Sequence, residues 1–81
     1  MELPLSALAL GRHAYISQVG GPPDMTQRLT ELGLLPGTRI ACELISPAGD
    51  PAAYRVRGAL IALRRADAGM VKIVSGTERE G

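Results

Sequence analysis

The two side chains best suited to metal binding or nucleophilic chemistry, Cys42 and His13, each occur once in this 81-residue chain. A single cysteine excludes an intrachain disulfide and a cysteine-cluster metal site. A zinc site or a Cys–His or Ser–His–Asp catalytic set would also need carboxylates at matching spacing, and no such spacing is visible. We therefore expect no catalytic residue, no cofactor and no metal site built by the protein. A weakly held surface ion at His13 is the most that the sequence allows.

A second chemical group is a set of arginines that strand alternation places on one outward face: Arg39, Arg55 and Arg57. Such a patch could contact phosphates, and a small nucleic-acid-binding barrel is the alternative function. Against it, the formal net charge is only +1 and aromatic residues make up 2% of the chain, so base stacking is poorly supplied. We favour a solvated sheet face, with Glu43 as a pairing partner, and expect no nucleic acid as a ligand.

The length of 81 residues allows one small domain, predicted over residues 1–75, followed by a flexible polar tail at 76–81. The longest apolar run, Ala59–Leu63, is too short to cross a membrane. A secretory signal has a basic segment followed by a long apolar stretch, and the N-terminus of this chain has neither. We expect a soluble cytoplasmic protein without membrane insertion.

Ten glycines and six prolines divide the chain into short apolar segments, a pattern typical of small β-barrels. An N-terminal turn through Leu5, Leu8 and Leu10 is expected to dock on the core. Alternation predicts Cys42 and Leu44 on the inner face of their strand. The fold class is thus mainly β, an SH3-like barrel of about five strands with one inserted short helix, although periodicity alone does not distinguish an OB-type barrel. The five predicted strands are His13–Val19, Thr38–Ser46, Tyr54–Arg57, Leu60–Arg64 and Met70–Val74.

The inserted helix is predicted over Met25–Leu32. Asp24 is a favourable N-cap, and Gln27 stands three positions later as a capping-box partner. Apolar residues at i, i+4 and i+7 predict a buried stripe of Met25, Leu29 and Leu32.

The end of this helix carries a specific turn signal. Gly33 suits the left-handed C′ position and is predicted to have a positive φ. Leu34 then falls at C″ and can pack back on Leu29, while Pro36 forbids continuation of the helix.

Two blocks of sequence match the pattern of a known family. The first block is Met25-x-x-Arg28-Leu29-x-Glu31-Leu32-Gly33-Leu34-x-Pro36-Gly37-Thr38, and the second is Pro47-x-Gly49-Asp50-Pro51-x-x-Tyr54-x-Val56-x-Gly58, continued by Ile61-Ala62-Leu63-Arg64, Asp67-Ala68 and Val71-x-Ile73. These blocks resemble the FeoA family, small cytoplasmic proteins of bacterial ferrous-iron uptake. The resemblance covers about Leu5 to Val74, and Ala59 departs from it where a larger side chain is expected. The fold also resembles the C-terminal domain of metal-dependent iron repressors, but no helix-turn-helix segment stands in front of it here.

The resemblance implies a non-enzymatic accessory protein that works with FeoB, a membrane ferrous-iron transporter with a cytosolic GTPase domain. The residues themselves indicate a binding module rather than a catalyst. They leave open whether the partner is activated or restrained, whether its nucleotide state matters, and whether the protein self-associates weakly.

A partner surface is predicted from apolar residues that the core cannot wholly absorb. Leu34 and Leu35 are adjacent and cannot easily both be buried, while Arg28 lies at the rim of the same region. The predicted site is a groove between the helix and the barrel edge, near the Pro47–Pro51 turn. Its partner-binding residues are Met25, Arg28, Leu34 and Leu35.

Overall fold

The computed structural model describes residues 1–75, so the predicted tail at 76–81 lies outside the described residues. Within residues 1–75 a single antiparallel sheet of six strands runs in the order β1-β6-β2-β3-β4-β5. This confirms the mainly β prediction. The strands are β1 (Glu2–Pro4), β2 (His13–Val19), β3 (Arg39–Ile45), β4 (Ala52–Val56), β5 (Ala59–Leu63) and β6 (Val71–Ser75), with a 3-10 turn at Leu5–Ala7 and helices α1 (Pro23–Glu31) and α2 (Arg65–Ala68).

β1 is the strand that the sequence did not predict. It is three residues long, and it pairs with β6 through Leu3 opposite Ile73 and Pro4 opposite Lys72. So short a segment carries no alternation, and it is extended because β6 offers it an edge. Of the leucines that follow, Leu5 is fully buried, but Leu10 is 57% exposed and does not join the core.

The core is apolar, and no polar or charged residue within residues 1–75 is buried. The inward positions predicted from strand alternation are confirmed on β2, for most of β3 and on β6. The buried cluster contains Leu5, Ala14, Ile16, Leu29, Leu34, Ile40, Cys42, Tyr54, Val56, Leu63, Ala68, Val71 and Ile73.

Leu44 departs from the alternation of β3. The pairing with β4 shifts register between Cys42, which lies opposite Tyr54, and Leu44, which lies opposite Ala53. This bulge inserts an extra residue and turns the following side chain to the other face. Leu44 is 60% exposed, so its predicted inner position is wrong.

α1 begins two residues earlier than predicted, at Pro23, with Pro22 as its N-cap and no side-chain cap bond. Proline suits the first helical position because its φ is already helical and its missing N–H would have no partner there. Asp24 therefore lies inside the first turn, where it complements the helix dipole, and the predicted N-cap role is wrong. Gln27 Nε2 donates to Glu31 Oε2 at 3.3 Å, so it forms no capping box.

The end of α1 is a Schellman turn, as the sequence predicted. The Leu34 N–H donates to the Leu29 carbonyl at 3.0 Å, and the Gly33 N–H donates to the Thr30 carbonyl at 2.9 Å. Gly33 has φ +105°, which confirms its predicted conformation. Leu29 and Leu34 are both fully buried. Leu32 is 43% exposed, and its predicted burial is wrong, because the reversal brings Leu34 into the core instead.

Neither α1 nor α2 is long and apolar enough to cross a membrane, and residues 1–75 contain no other α-helix.

Candidate protein-interaction surface

The four predicted partner-binding residues separate into buried and accessible ones. Leu34 is fully buried, so its predicted place on a partner surface is wrong: it closes the core beneath the turn. Leu35, its neighbour, is 37% exposed. Arg28 is exposed, and Met25 is partly buried against the core. Met25, Arg28 and Leu35 thus remain accessible.

Leu32 joins these residues, although sequence reasoning placed it in the core. Met25, Arg28 and Leu32 are spaced i, i+3 and i+7 and so share one side of α1. The exposure of Leu32 could have been predicted from its position at the C-cap, because the helix ends there and the chain turns inward one residue later. We call Met25, Arg28, Leu32 and Leu35 the α1 surface.

A second methionine extends the α1 surface at its Met25 end. A Cβ placed on Gly21 would lie 3.4 Å from the Met25 sulfur and 2.6 Å from the Met70 sulfur, so both thioethers border this glycine. Met70 is 37% exposed. Thioether side chains are flexible and polarisable, which suits them to binding surfaces that must adapt to a partner.

The Pro47–Pro51 turn does not border the α1 surface, contrary to the predicted groove. Val56, which pairs with Ile40, lies beside Gly33 at the end of α1, whereas the turn connects the opposite ends of the two strands. Residues Ile40 to Ile45 separate the two regions by roughly 16 Å of strand.

The turn borders a different cavity. A space of about 230 Å³ is lined by Tyr54, Leu63 and Arg65, among others. Asp50 in the turn accepts a hydrogen bond from the Arg65 backbone N–H at 2.9 Å. Burial raises the pKa of Tyr54, so its phenol stays protonated well above neutral pH.

The three arginines of the nucleic-acid alternative do not form a patch of free cations. Arg55 binds Glu43 through two hydrogen bonds, Nε to Oε2 at 3.1 Å and Nη2 to Oε1 at 3.0 Å. These hydrogen bonds hold the pKa of Glu43 below its ordinary value. Arg57 lies in the β4–β5 turn with φ +52°, and Arg39 is exposed opposite Tyr15 on β2. The central member of the set is therefore neutralised.

His13 and Cys42 lie on opposite faces of the sheet. His13 is partly buried and packs edge-to-face with Tyr15, at a ring separation of 6.0 Å. Cys42 is 1% exposed, and burial raises the pKa of its thiol. Residues 1–75 contain no group of three histidine, cysteine or acidic side chains placed to hold a metal ion.

Cys42 should react very slowly with an aromatic disulfide reagent such as DTNB while the protein is folded, because the thiol is enclosed and the reactive thiolate is disfavoured. Labelling should become rapid and stoichiometric in denaturant. The absorbance of released thionitrobenzoate measures both rates, with Cys42→Ala as the blank. Rapid labelling of the folded protein would contradict the buried position.

Comparison with known proteins gives the class of molecule. FeoA from Stenotrophomonas maltophilia, a prokaryotic SH3 domain protein whose structure holds zinc, is 29% identical with a TM-score of 0.78, covering 91% of this chain and 89% of that one. FeoA from Chlorobium tepidum is 32% identical with a TM-score of 0.82, covering 96% of this chain and 76% of that one. The fold is therefore that of a small SH3-like domain. Residues 3–75 match the FeoA domain family, and the chain belongs to that family.

A curated relative connects the family to ferrous iron transport. It is the Fe(2+) transport protein A/Fe(2+) transporter FeoB fusion protein of Porphyromonas gingivalis, 33% identical over 69 residues. The match covers 85% of this chain but only 8% of the length of that relative.

Proposed function

We propose that this protein is a non-enzymatic, cytoplasmic accessory of ferrous iron uptake that binds the cytosolic GTPase domain of a FeoB-type transporter. The observation that carries the proposal is the fusion protein of Porphyromonas gingivalis, in which a segment matching 85% of this chain shares a polypeptide with FeoB. Two domains joined in one chain meet each other at high effective concentration. Two separate proteins achieve the same proximity by binding to each other. The Stenotrophomonas maltophilia relative, described as a candidate activating factor for ferrous iron transport, supports the same role.

The proposed binding site is the α1 surface. It sets an arginine among apolar side chains that are partly exposed, and interfaces draw most of their energy from a few such anchors. Arg28 also has a structural role, because a cation in the last turn of α1 complements the helix dipole. The partner contact is expected to use the guanidinium group in addition, at the rim of the apolar contact.

The test measures binding of the purified chain to the separately purified cytosolic domain of the FeoB transporter from the same organism, by calorimetry. Met25→Ala, Arg28→Ala and Leu35→Ala should each weaken association by about 1 kcal/mol or more, which is roughly fivefold or more in Kd. The reason is that each substitution removes a side chain that a partner would desolvate.

Matched controls separate the α1 surface from the rest of the molecule. Leu44→Ala removes an exposed leucine at the opposite end of β3, and Arg12→Ala removes an exposed arginine whose backbone carbonyl accepts a hydrogen bond from the Cys42 N–H, away from the α1 end. Both should leave affinity unchanged, and thermal melts should show that all variants are folded. If the α1 variants fold and bind normally while Arg55→Ala abolishes binding, the interface lies on the sheet face. Absence of binding by the wild-type chain with GTP, with GDP and without nucleotide would refute the proposed partner.

A further inference from the structure

The two edges of the sheet differ in their protection against pairing with another strand. β1 is three residues long and carries Glu2 and Pro4, both of which discourage pairing. β5 runs for five residues, Ala59–Leu63, with no charge and no proline. Its register with β4 contains no bulge. β5 therefore lacks the devices by which exposed edges are usually blocked.

The backbone groups of β5 that face outward follow from its hairpin with β4. The two-residue turn Arg57–Gly58 has φ +52° and +84°, so Val56 and Ala59 form the first hydrogen-bonded pair. Hydrogen-bonded pairs then alternate along an antiparallel ladder, which points the N–H and C=O groups of Leu60 and Ala62 away from β4. Within the described part of the chain, β4 is the only strand bonded to β5. Leu60 is 53% exposed, and Ala62 is exposed.

Positive charge stands at both ends of this edge. Arg57 precedes β5, and Arg64 and Arg65 follow it. None of the three pairs with a carboxylate among residues 1–75, where Arg55 and Glu43 form the one ion pair. Asp50 accepts the backbone N–H of Arg65 rather than binding its guanidinium group.

The same charges disfavour a second copy of this chain at the edge when the two β5 strands are centred on Ile61. An antiparallel pair of β5 strands centred on Ile61 would set Arg57 of each copy opposite Arg65 of the other. Like charges placed directly opposite each other destabilise strand pairing. The occupant that fits is instead a strand of opposite charge.

We propose that the β5 edge binds an extended segment of another protein as an added strand, with acidic residues at both ends of that segment. The outward N–H and C=O groups of Leu60 and Ala62 supply the main-chain hydrogen bonds, and the flanking arginines select the acidic ends. This contact uses the β5 edge and meets the α1 surface only at Arg57, whose side chain packs beside Gly33. Its test uses a synthetic peptide and no transporter domain, so it and the proposed function can fail independently.

The probe is an acetylated and amidated peptide with the sequence Glu-Glu-Thr-Val-Thr-Val-Thr-Glu-Glu, titrated into the nitrogen-15-labelled chain. We expect saturable shifts centred on the amides of Leu60 and Ala62, together with slower hydrogen exchange at both. A control peptide with the four glutamates replaced by lysines should bind at least about tenfold more weakly. If no saturable shift appears at these amides at millimolar peptide, or if the shifts centre elsewhere, the proposal is overturned.

Two variants complete the test. Ala62→Pro removes an outward N–H but no bond to β4, and it should weaken peptide binding at least about tenfold. The double variant Arg64→Glu, Arg65→Glu should reverse the preference between the acidic and basic peptides, and it decides the question if Ala62→Pro does not fold. Undiminished binding by folded Ala62→Pro, or an unchanged preference in the double variant, overturns the proposal. So does a wild-type dimer in sedimentation that Ala62→Pro dissociates, because the occupant is then a second copy.

Discussion

Replacing Leu34 with alanine should lower the free energy of unfolding by about 2–5 kcal/mol, the range measured for fully buried leucines. Leu34 has no exposed surface and packs in the same cluster as Leu29. The substitution removes buried apolar surface and leaves a cavity, which a small close-packed core cannot fill by collapse without disturbing its neighbours. Urea denaturation followed by far-ultraviolet circular dichroism measures the effect.

Leu35→Ala is the matched control, because it makes the same substitution one residue further along the same turn. Leu35 is 37% exposed, so the loss of stability should stay below about 1 kcal/mol. The two variants should also differ in binding, since Leu35 lies on the α1 surface and Leu34 beneath it. Equal losses of stability at the two positions would show that the sides of the turn are assigned wrongly.

The adjacent leucines show where sequence reasoning reaches its limit in this protein. The Schellman turn was predicted correctly from Gly33, because the C′ position needs a positive φ that few residues other than glycine adopt. The same pattern predicted that Leu34 packs on Leu29. The sequence pattern could not show that Leu34 is buried in place of Leu32, because the space available beside the sheet decides which of the two leucines enters the core.

Alternation of apolar and polar residues correctly predicted most of the side chains that face inward from the sheet. On β2 and β6 the side-chain period of two holds, so Ala14, Ile16, Val71 and Ile73 lie inside as expected. On β3 the bulge after Cys42 breaks the period, and no proline or glycine in that strand announces it. β1 was missed because three residues are too few to carry a pattern.

Most residues of the candidate site were correctly predicted to be accessible, but the position of the site relative to the Pro47–Pro51 turn was not predicted correctly. Met25, Arg28 and Leu35 are accessible near one end of the sheet, but the Pro47–Pro51 turn lies at the other end of β3 and β4. The predicted position of this turn near the helix is wrong, because the register of β3 and β4 sets the separation between them. The pairing of Glu43 with the arginine face was predicted correctly, and cross-strand register selects Arg55 as its partner.

Gly33→Ala should lower the free energy of unfolding by about 1–2 kcal/mol. A residue with a Cβ is strained at φ +105°, and the added atom would lie 3.1 Å from Cδ of Arg57 and 3.6 Å from Cγ1 of Val56. The 3.1 Å contact is the tighter one, and it falls on a flexible side chain that can move away. Backbone strain is therefore expected to be the larger part of the cost, and thermal and urea melts measure the total.

Gly37→Ala separates strain from contact. Gly37 also has a left-handed φ of +89°, but a Cβ there would meet nothing within 4 Å, so this variant reports the backbone cost in open space. Gly33→Ala should destabilise more than Gly37→Ala, and the excess should shrink when both are compared in an Arg57→Ala background. An unchanged melting temperature for Gly33→Ala would contradict the left-handed turn. An excess that survives Arg57→Ala would show that the backbone is more strained at Gly33 than at Gly37, because the 3.6 Å approach to Val56 is an ordinary van der Waals contact.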